Sequence, residues 1–306
     1  MKTNSNPYIK KFISIIKILI QIIIFITAIF FIHKEIQKYT LSELKHSFDN
    51  LSYMSILLIF FAVIIDYLIL SSFDILAFKN ENFKFSKIKT VFVSFISFAF
   101  SNSIGLSGLT ASGIRVNLYS YWKIPYKLIL KVVLFCYLTF WIGMLWMGGI
   151  FLTFFSIPLN HLKIKLPITN THFIGIIFLI SATIFSIYIF IHHKNNLKLF
   201  IFRIILALSD WIAISLVFYF ALPTNNSLSF FYFFTIFITA QFIGIISNVP
   251  GGIGIFDLVA LSLLSKFYST NIILGSLLIY RLCYFFIPLL FALILFIIYL
   301  IKKQIR

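Results

Sequence analysis

Ser247-Asn248-Val249-Pro250-Gly251-Gly252-Ile253-Gly254 ends an apolar run spanning 230–248, and its reading decides the architecture. One proline and three glycines in eight residues do not continue a helix. Proline lacks the N–H that a helix interior needs, and glycine gives up the most conformational freedom on ordering. An earlier stretch has the same character. Ser101-Asn102-Ser103-Ile104-Gly105-Leu106-Ser107-Gly108-Leu109-Thr110-Ala111-Ser112-Gly113 follows the run that starts near residue 88.

The rest of the chain says what medium surrounds these two breaks. Of its 306 residues 61 % are hydrophobic and only 11 % charged, where a soluble domain carries about 25 % charged residues. The mean hydropathy is +1.06. Apolar runs recur at 12–32, 53–78, 88–109, 128–155, 172–191, 204–222, 230–248 and 272–300, most near the ~20 residues that cross a hydrocarbon core. The chain is an integral membrane protein that crosses the bilayer repeatedly. The run at 12–32 is too long for a signal-peptide core and lacks a small-residue cleavage site, so it reads as a retained first helix. At membrane depth, irregular backbone is tolerated only where protein buries it or where it lines a wet cavity.

The basic residues choose between two topologies. If all eight runs cross, lysine and arginine divide 13 to 11 between the two sides. If 88–109 and 230–248 instead enter and leave on one side, the division becomes 18 to 6, as the positive-inside rule expects. The expected fold is therefore all-α and polytopic, with six transmembrane helices, two re-entrant helical hairpins and both termini cytoplasmic. The net charge of +17 belongs to short segments between spans, where it faces anionic headgroups rather than nucleic acid.

The two halves echo each other. Asp66-Tyr67 with Ser71 resembles Asp210-Trp211 with Ser215; Ser101-Asn102 resembles Ser247-Asn248; Phe135-Cys136-Tyr137 resembles Leu282-Cys283-Tyr284. The offsets run from 144 to 147 residues. In the six-helix topology the halves have opposite orientation, so 12–155 and 172–300 form inverted repeats within a single domain, a layout used by many secondary transporters.

Intramembrane charge marks the candidate site. Asp66, Asp210 and Asp257 fall within or beside apolar runs, as do Arg115 and Arg281. Two readings apply to them. Arg115 and Arg281 hold a lipid phosphate through bidentate contacts, with Asp257 and either Asp66 or Asp210 balancing them; alternatively, all of them are buried ion pairs that fix helix register. Asp74 is expected at the cytoplasmic interface beside Lys79. Gly251, Gly252 and Gly254, with Asn102 and Asn248, border turns that each open a second half-helix. The free N–H groups there attract anions; the simpler reading is a tight turn. Tyr121, Trp122 and Trp211 read as interface anchors. Cys136 and Cys283 lie inside apolar spans and form neither a disulfide framework nor a metal site, and no cofactor is expected.

Asn248-Val-Pro-Gly-Gly-Ile-Gly-Ile-Phe-Asp257, with Ser112-Gly-Ile-Arg-Val-Asn-Leu-Tyr-Ser120 and Tyr280-Arg-Leu-Cys-Tyr-Phe-Phe-Ile-Pro288, resembles the lysylphosphatidylglycerol synthase/flippase transmembrane family. The likeness runs from about the second helix onward. It implies a flippase-like domain of a bacterial inner membrane, translocating a phospholipid such as aminoacylated phosphatidylglycerol between leaflets. In that family the acidic residue after the Pro-Gly-Gly-x-Gly block is usually glutamate; here it is Asp257, one methylene shorter. The chain ends at Arg306 without the family's aminoacyltransferase domain, so an aminoacylated cargo is expected to come from a separate lipid-modifying synthase. The alternatives are a non-transporting partner subunit of such a synthase and a membrane-embedded lipid-pathway transferase. Against the transferase, no loop carries a paired-carboxylate metal motif or a nucleophile–base pair.

Overall fold

A computed structural model of the chain describes residues 51–104, 107–157, 171–192, 196–224, 228–247 and 254–304. All regular structure within them is helical: α1 (Tyr53–Asn80), α2 (Lys87–Ile104), α3 (Ser107–Tyr121), α4 (Tyr126–Phe154), α5 (His172–His192), α6 (Leu197–Ala221), α7 (Phe230–Ile246), α8 (Ile255–Leu264), α9 (Thr270–Arg281) and α10 (Ile287–Gln304). A π-helical turn, Leu282–Phe286, joins α9 to α10. Helix starts follow local chemistry. The Ser52 and Asn196 side chains accept from the Ser55 and Leu199 N–H groups, and Ser229 does the same for Tyr232. Pro125 precedes α4, where its missing N–H costs nothing.

Among the described residues five helical stretches are long and apolar enough to cross a membrane: α1, α4, α5, α6 and the continuous run Thr270–Lys302. These are the spans expected near 53–78, 128–155, 172–191, 204–222 and 272–300; the one expected at 12–32 lies outside the described residues. Their outward faces are apolar. Leu57, Phe61, Ile64 and Leu68 form an exposed stripe on α1, and Ile177, Ile180, Ile184, Ile187 and Ile191 form another on α5. In water such stripes would be sticky patches; in hydrocarbon they are the surface that lipid wets.

The two glycine-bearing breaks sit between α2 and α3 and between α7 and α8. In both cases the second helix packs back on the first. Both ends of the first pair lie together, since Lys89 near the start of α2 stands 5.5 Å over the Trp122 ring just after α3. Lys131 of α4 reaches Glu81 after α1 at 2.6 Å, which places that same end beside the C-terminus of α1. The second pair closes likewise at the other end of α6: Tyr232 packs on Phe267 with ring centroids 5.7 Å apart. Nearby, the Tyr268 hydroxyl donates to the Pro223 carbonyl at 2.8 Å.

At the centre α1 crosses α6, α4 also packs against α6, α2 lies on α10, and α7 lies on α4. A continuous core of buried apolar side chains fills the space between them. One crossing is unusually close. A Cβ at Gly143 of α4 would overlap the Ala207 carbonyl of α6, so only glycine lets these backbones meet.

Candidate functional site

Among the described residues, three clusters of polar groups inside this apolar bundle centre on carboxylates. The first joins α1, α2, α3 and α4. Asp74 is fully buried and accepts from Arg115 Nη2 at 2.8 Å and Nε at 3.0 Å, from the Tyr119 hydroxyl at 2.7 Å, and from Ser94 and the Cys136 thiol. The Arg115 guanidinium also lies 4.5 Å from the centre of the Phe98 ring. Every oxygen of the carboxylate is occupied, so the ion pair is closed to other ligands. This corrects the expectation that Asp74 sits at the interface beside Lys79, and it gives Arg115 a partner other than Asp66, Asp210 or Asp257. A signal was present in the chain: Asp74 follows Asp66 by eight residues, which keeps both within about a quarter turn of one helix face.

The second cluster sits where α1, α6 and the π turn meet. The Tyr284 hydroxyl donates to Asp66 Oδ2 at 2.7 Å and accepts from Asn102 Nδ2 at 3.4 Å. The other oxygen, Asp66 Oδ1, receives no N–H or O–H donor. Asp210 of α6 comes within hydrogen-bonding reach of the same carboxyl group, carboxyl against carboxyl. Among the described residues no lysine or arginine pairs with either. The π turn has a chemical cause: Pro288 cannot donate to the carbonyl four residues back, which is that of Tyr284. The Tyr67 hydroxyl donates to that carbonyl at 3.3 Å, and Ser103 donates to the Phe285 carbonyl at 3.2 Å. Helix backbone loosened inside a bilayer is thus satisfied by neighbouring side chains, and such π turns often mark functional positions.

The third cluster lies at the second break. Gly254 adopts φ +86°, which side-chain-bearing residues rarely do, and opens α8. Its N–H donates to Asp257 Oδ2 at 2.9 Å. Arg281, the last residue of α9, binds the same carboxylate through Nη2 at 2.7 and 2.8 Å and Nε at 3.2 Å. The anion expected at this half-helix N-terminus is supplied by the chain itself. Unlike Asp74, the Asp257 side chain is 23 % exposed, while Arg281 is buried at 7 %, so only the carboxylate side of this pair is open. Tyr280 continues the cluster toward the centre: it stacks on Tyr284 with centroids 5.8 Å apart, and its hydroxyl accepts from Gln241.

Of the expected site residues, Asp66, Asp210 and Asn102 share one cluster, Asp257, Arg281 and Gly254 form another, and Arg115 stands apart. Asn248, Gly251 and Gly252 lie outside the described residues. Trp211 is a further correction. It is buried and donates to the Phe140 carbonyl at 3.3 Å, so it is a core residue rather than an interface anchor. Among the described residues no three His, Cys, Asp or Glu side chains gather in a way that would hold a metal ion.

Fold and clusters together define a polytopic helical membrane protein with carboxylates and arginines held inside its bundle next to broken helices. The chain is 38 % identical over 282 residues to the uncharacterized protein slr0712 of Synechocystis, covering 87 % of this chain and 86 % of that one, and belongs to the same family. It is also 28 % identical over 295 residues to the phosphatidylglycerol lysyltransferase of Staphylococcus aureus strains MSSA476 and MW2. That alignment takes in 93 % of this chain but only 34 % of the lysyltransferase, so the chain spans about a third of that relative. No family model matches the chain.

Proposed function

We propose that the protein is a lipid translocator of a bacterial inner membrane, moving a phospholipid between leaflets. The observation that carries this reading is the Asp257–Arg281 pair. It sits at the opening of a half-helix, it is partly accessible, and it leads through Tyr280 to the buried Asp66–Asp210 carboxyls. A headgroup phosphate competes with Asp257 for the Arg281 fork, and a cationic headgroup, such as an aminoacylated one, finds the carboxylates so released. The two folded-back helix pairs close at opposite ends of the bundle, which supports re-entrant hairpins in inverted repeats and alternating exposure of a midplane path. Likeness to part of a phosphatidylglycerol lysyltransferase supports phosphatidylglycerol or its aminoacylated form as cargo. A separate synthase is the partner this reading calls for.

The test is a leaflet-resolved lipid transport assay in proteoliposomes across several headgroups. Wild-type protein moves at least one anionic or aminoacylated lipid faster than empty vesicles. Arg281→Ala and Asp257→Asn lose most of that activity while remaining folded. Absence of transport for every headgroup rejects the proposal.

A further inference from the structure

Asp66 and Asp210 remain once ion pairing has accounted for the other acidic residues of the described chain. Asp74 meets Arg115, Glu81 meets Lys131 and Asp257 meets Arg281, whereas Asp66 and Asp210 meet each other. Asp66 is fully buried and Asp210 nearly so. Asp66 Oδ2 takes the Tyr284 hydroxyl, and Oδ1 receives no donor although a second carboxyl group lies within hydrogen-bonding reach. An ionised carboxylate accepts hydrogen bonds and donates none. Two of them in contact inside an apolar bundle repel each other and have both lost their hydration. A single proton turns that repulsion into a charge-assisted O–H···O⁻ hydrogen bond. Asp66 Oδ1 then either carries the proton or accepts it.

The surroundings suit a proton and little else, since a proton needs no cavity. The titratable groups that face the pair are Tyr67 of α1, Tyr284 of the π turn and Tyr280 of α9. Arg281 lies past Tyr280 and is held by Asp257 of α8. From α4, Cys136 is committed to Asp74; α2 and α7 bring the uncharged Asn102 and Gln241. These two amides are half-buried and donate to the hydroxyls of Tyr284 and Tyr280 respectively. Each stands on the helix that leads into one of the two breaks, and the two helix pairs close at opposite ends of the bundle. The carboxyls are therefore approached from both breaks.

We propose that Asp66 and Asp210 form a proton-binding site, one proton shared between two carboxyls, whose loading from one membrane face and release to the other drives lipid movement. The coupling to lipid rests on the function proposed above; the proton site itself does not. The step is proton transfer alone. Hydronium on one face gives up H⁺, an O–H bond forms on a carboxyl, and that bond breaks when water on the other face takes the proton. α1 comes from the first half of the chain and α6 from the second, so release sets two carboxylates against each other across the crossing of the halves. Loading draws the halves together.

The experiment uses the whole chain in liposomes and has two measurements. Infrared difference spectra across a pH jump show a protonated-carboxyl band that shifts in D₂O and is lost in Asp66→Asn/Asp210→Asn. Should that variant fail to fold, Asp210→Asn alone, which offers Asp66 an amide donor, decides by the same loss. The second measurement imposes a gradient of one pH unit with the membrane potential clamped at zero. Trace labelled phosphatidylglycerol and its lysyl form are followed by leaflet. One proton per lipid sustains a leaflet ratio of up to about ten-fold, and reversing the gradient reverses it. A band that persists in the folded variant overturns the proton site. Lipid that equilibrates regardless of the pH gradient, or follows a sodium gradient instead, overturns the coupling while lipid translocation stands. If the band behaves as expected but no lipid moves, the lipid reading fails and takes the coupling with it, and the proton site stands.

Discussion

Two ion pairs of the same composition have different surroundings, and that difference sets what each residue does. Asp74 and Arg115 are buried, with all oxygens of the carboxylate engaged; Arg281 is buried too, but its partner Asp257 is partly open. Removing one member of a closed pair leaves an uncompensated charge, which costs about 3–5 kcal/mol. Asp74→Ala and Arg115→Ala should therefore lower thermal stability sharply in detergent. Asp257→Ala should lower it much less, because water reaches Arg281 once the carboxylate is gone. Equal melting temperatures for Asp74→Ala and wild type would refute this ranking. Part of the arrangement was legible in the chain. Arg281, Asp257 and the Asp66–Asp210 correspondence stood out because few charges enter the apolar runs. The Asp74–Arg115 partnership was not, since 41 residues separate its members and only the packing of α1 on α2, α2 on α3, and α4 on both α1 and α3 brings them together. Arg203 adjoins the start of the run 204–222, and nothing in its type or spacing sets it apart; its burial depends on Phe135 and Thr139 of another helix.

Glycines act at the scale of the element for two separate reasons, and substitution tells them apart. At Gly254 the obstacle is conformation: φ is +86°, yet an added Cβ would have nothing within 4 Å. Gly254→Ala should cost roughly 1–2 kcal/mol, the penalty for a side chain in that backbone region. At Gly143 the backbone is ordinary helix and the obstacle is Ala207 and Trp211 across the α4–α6 contact. Gly143→Leu should push the helices apart, cost more than Gly254→Ala and disturb the neighbouring Trp211, whose fluorescence would report it. Thermal melts of both variants, with emission spectra, check the order; a Gly143→Leu protein indistinguishable from wild type contradicts it. That one helix ends at Ile246 and the next begins at Ile255 was readable from the composition between them. Gly143 was invisible by the same route, because a glycine within a helix declares its purpose only when the neighbouring helix is known.

Over the whole molecule, side-chain contacts among the described residues sort the helix ends into two groups. The end of α1, the start of α2, the end of α3 and the start of α4 are linked by Lys89 on Trp122 and Lys131 on Glu81. The end of α10 joins them through the Tyr121–Tyr299 ring contact at 5.4 Å, and the start of α6 through the recess shared by Asn80 and Asn196. Lys79, Lys84, Lys87, Lys89, Lys123, Lys127, Lys131, Lys198 and Lys302 fall in this group, whereas Lys266 belongs to the turn between α8 and α9 at the opposite end. Charge segregation of this kind orients bacterial membrane proteins with the lysine-rich end in the cytoplasm. We therefore propose that this end is the cytoplasmic one, which cysteine labelling tests. Lys123→Cys should react with a membrane-impermeant maleimide only after the cells are opened, while Lys266→Cys should react in intact cells. Cys136 and Cys283 are buried and contribute little background. If both positions label from the same side, α2–α3 or α7–α8 crosses where it was taken to turn back, and the path between leaflets proposed past Asp257–Arg281 fails with it.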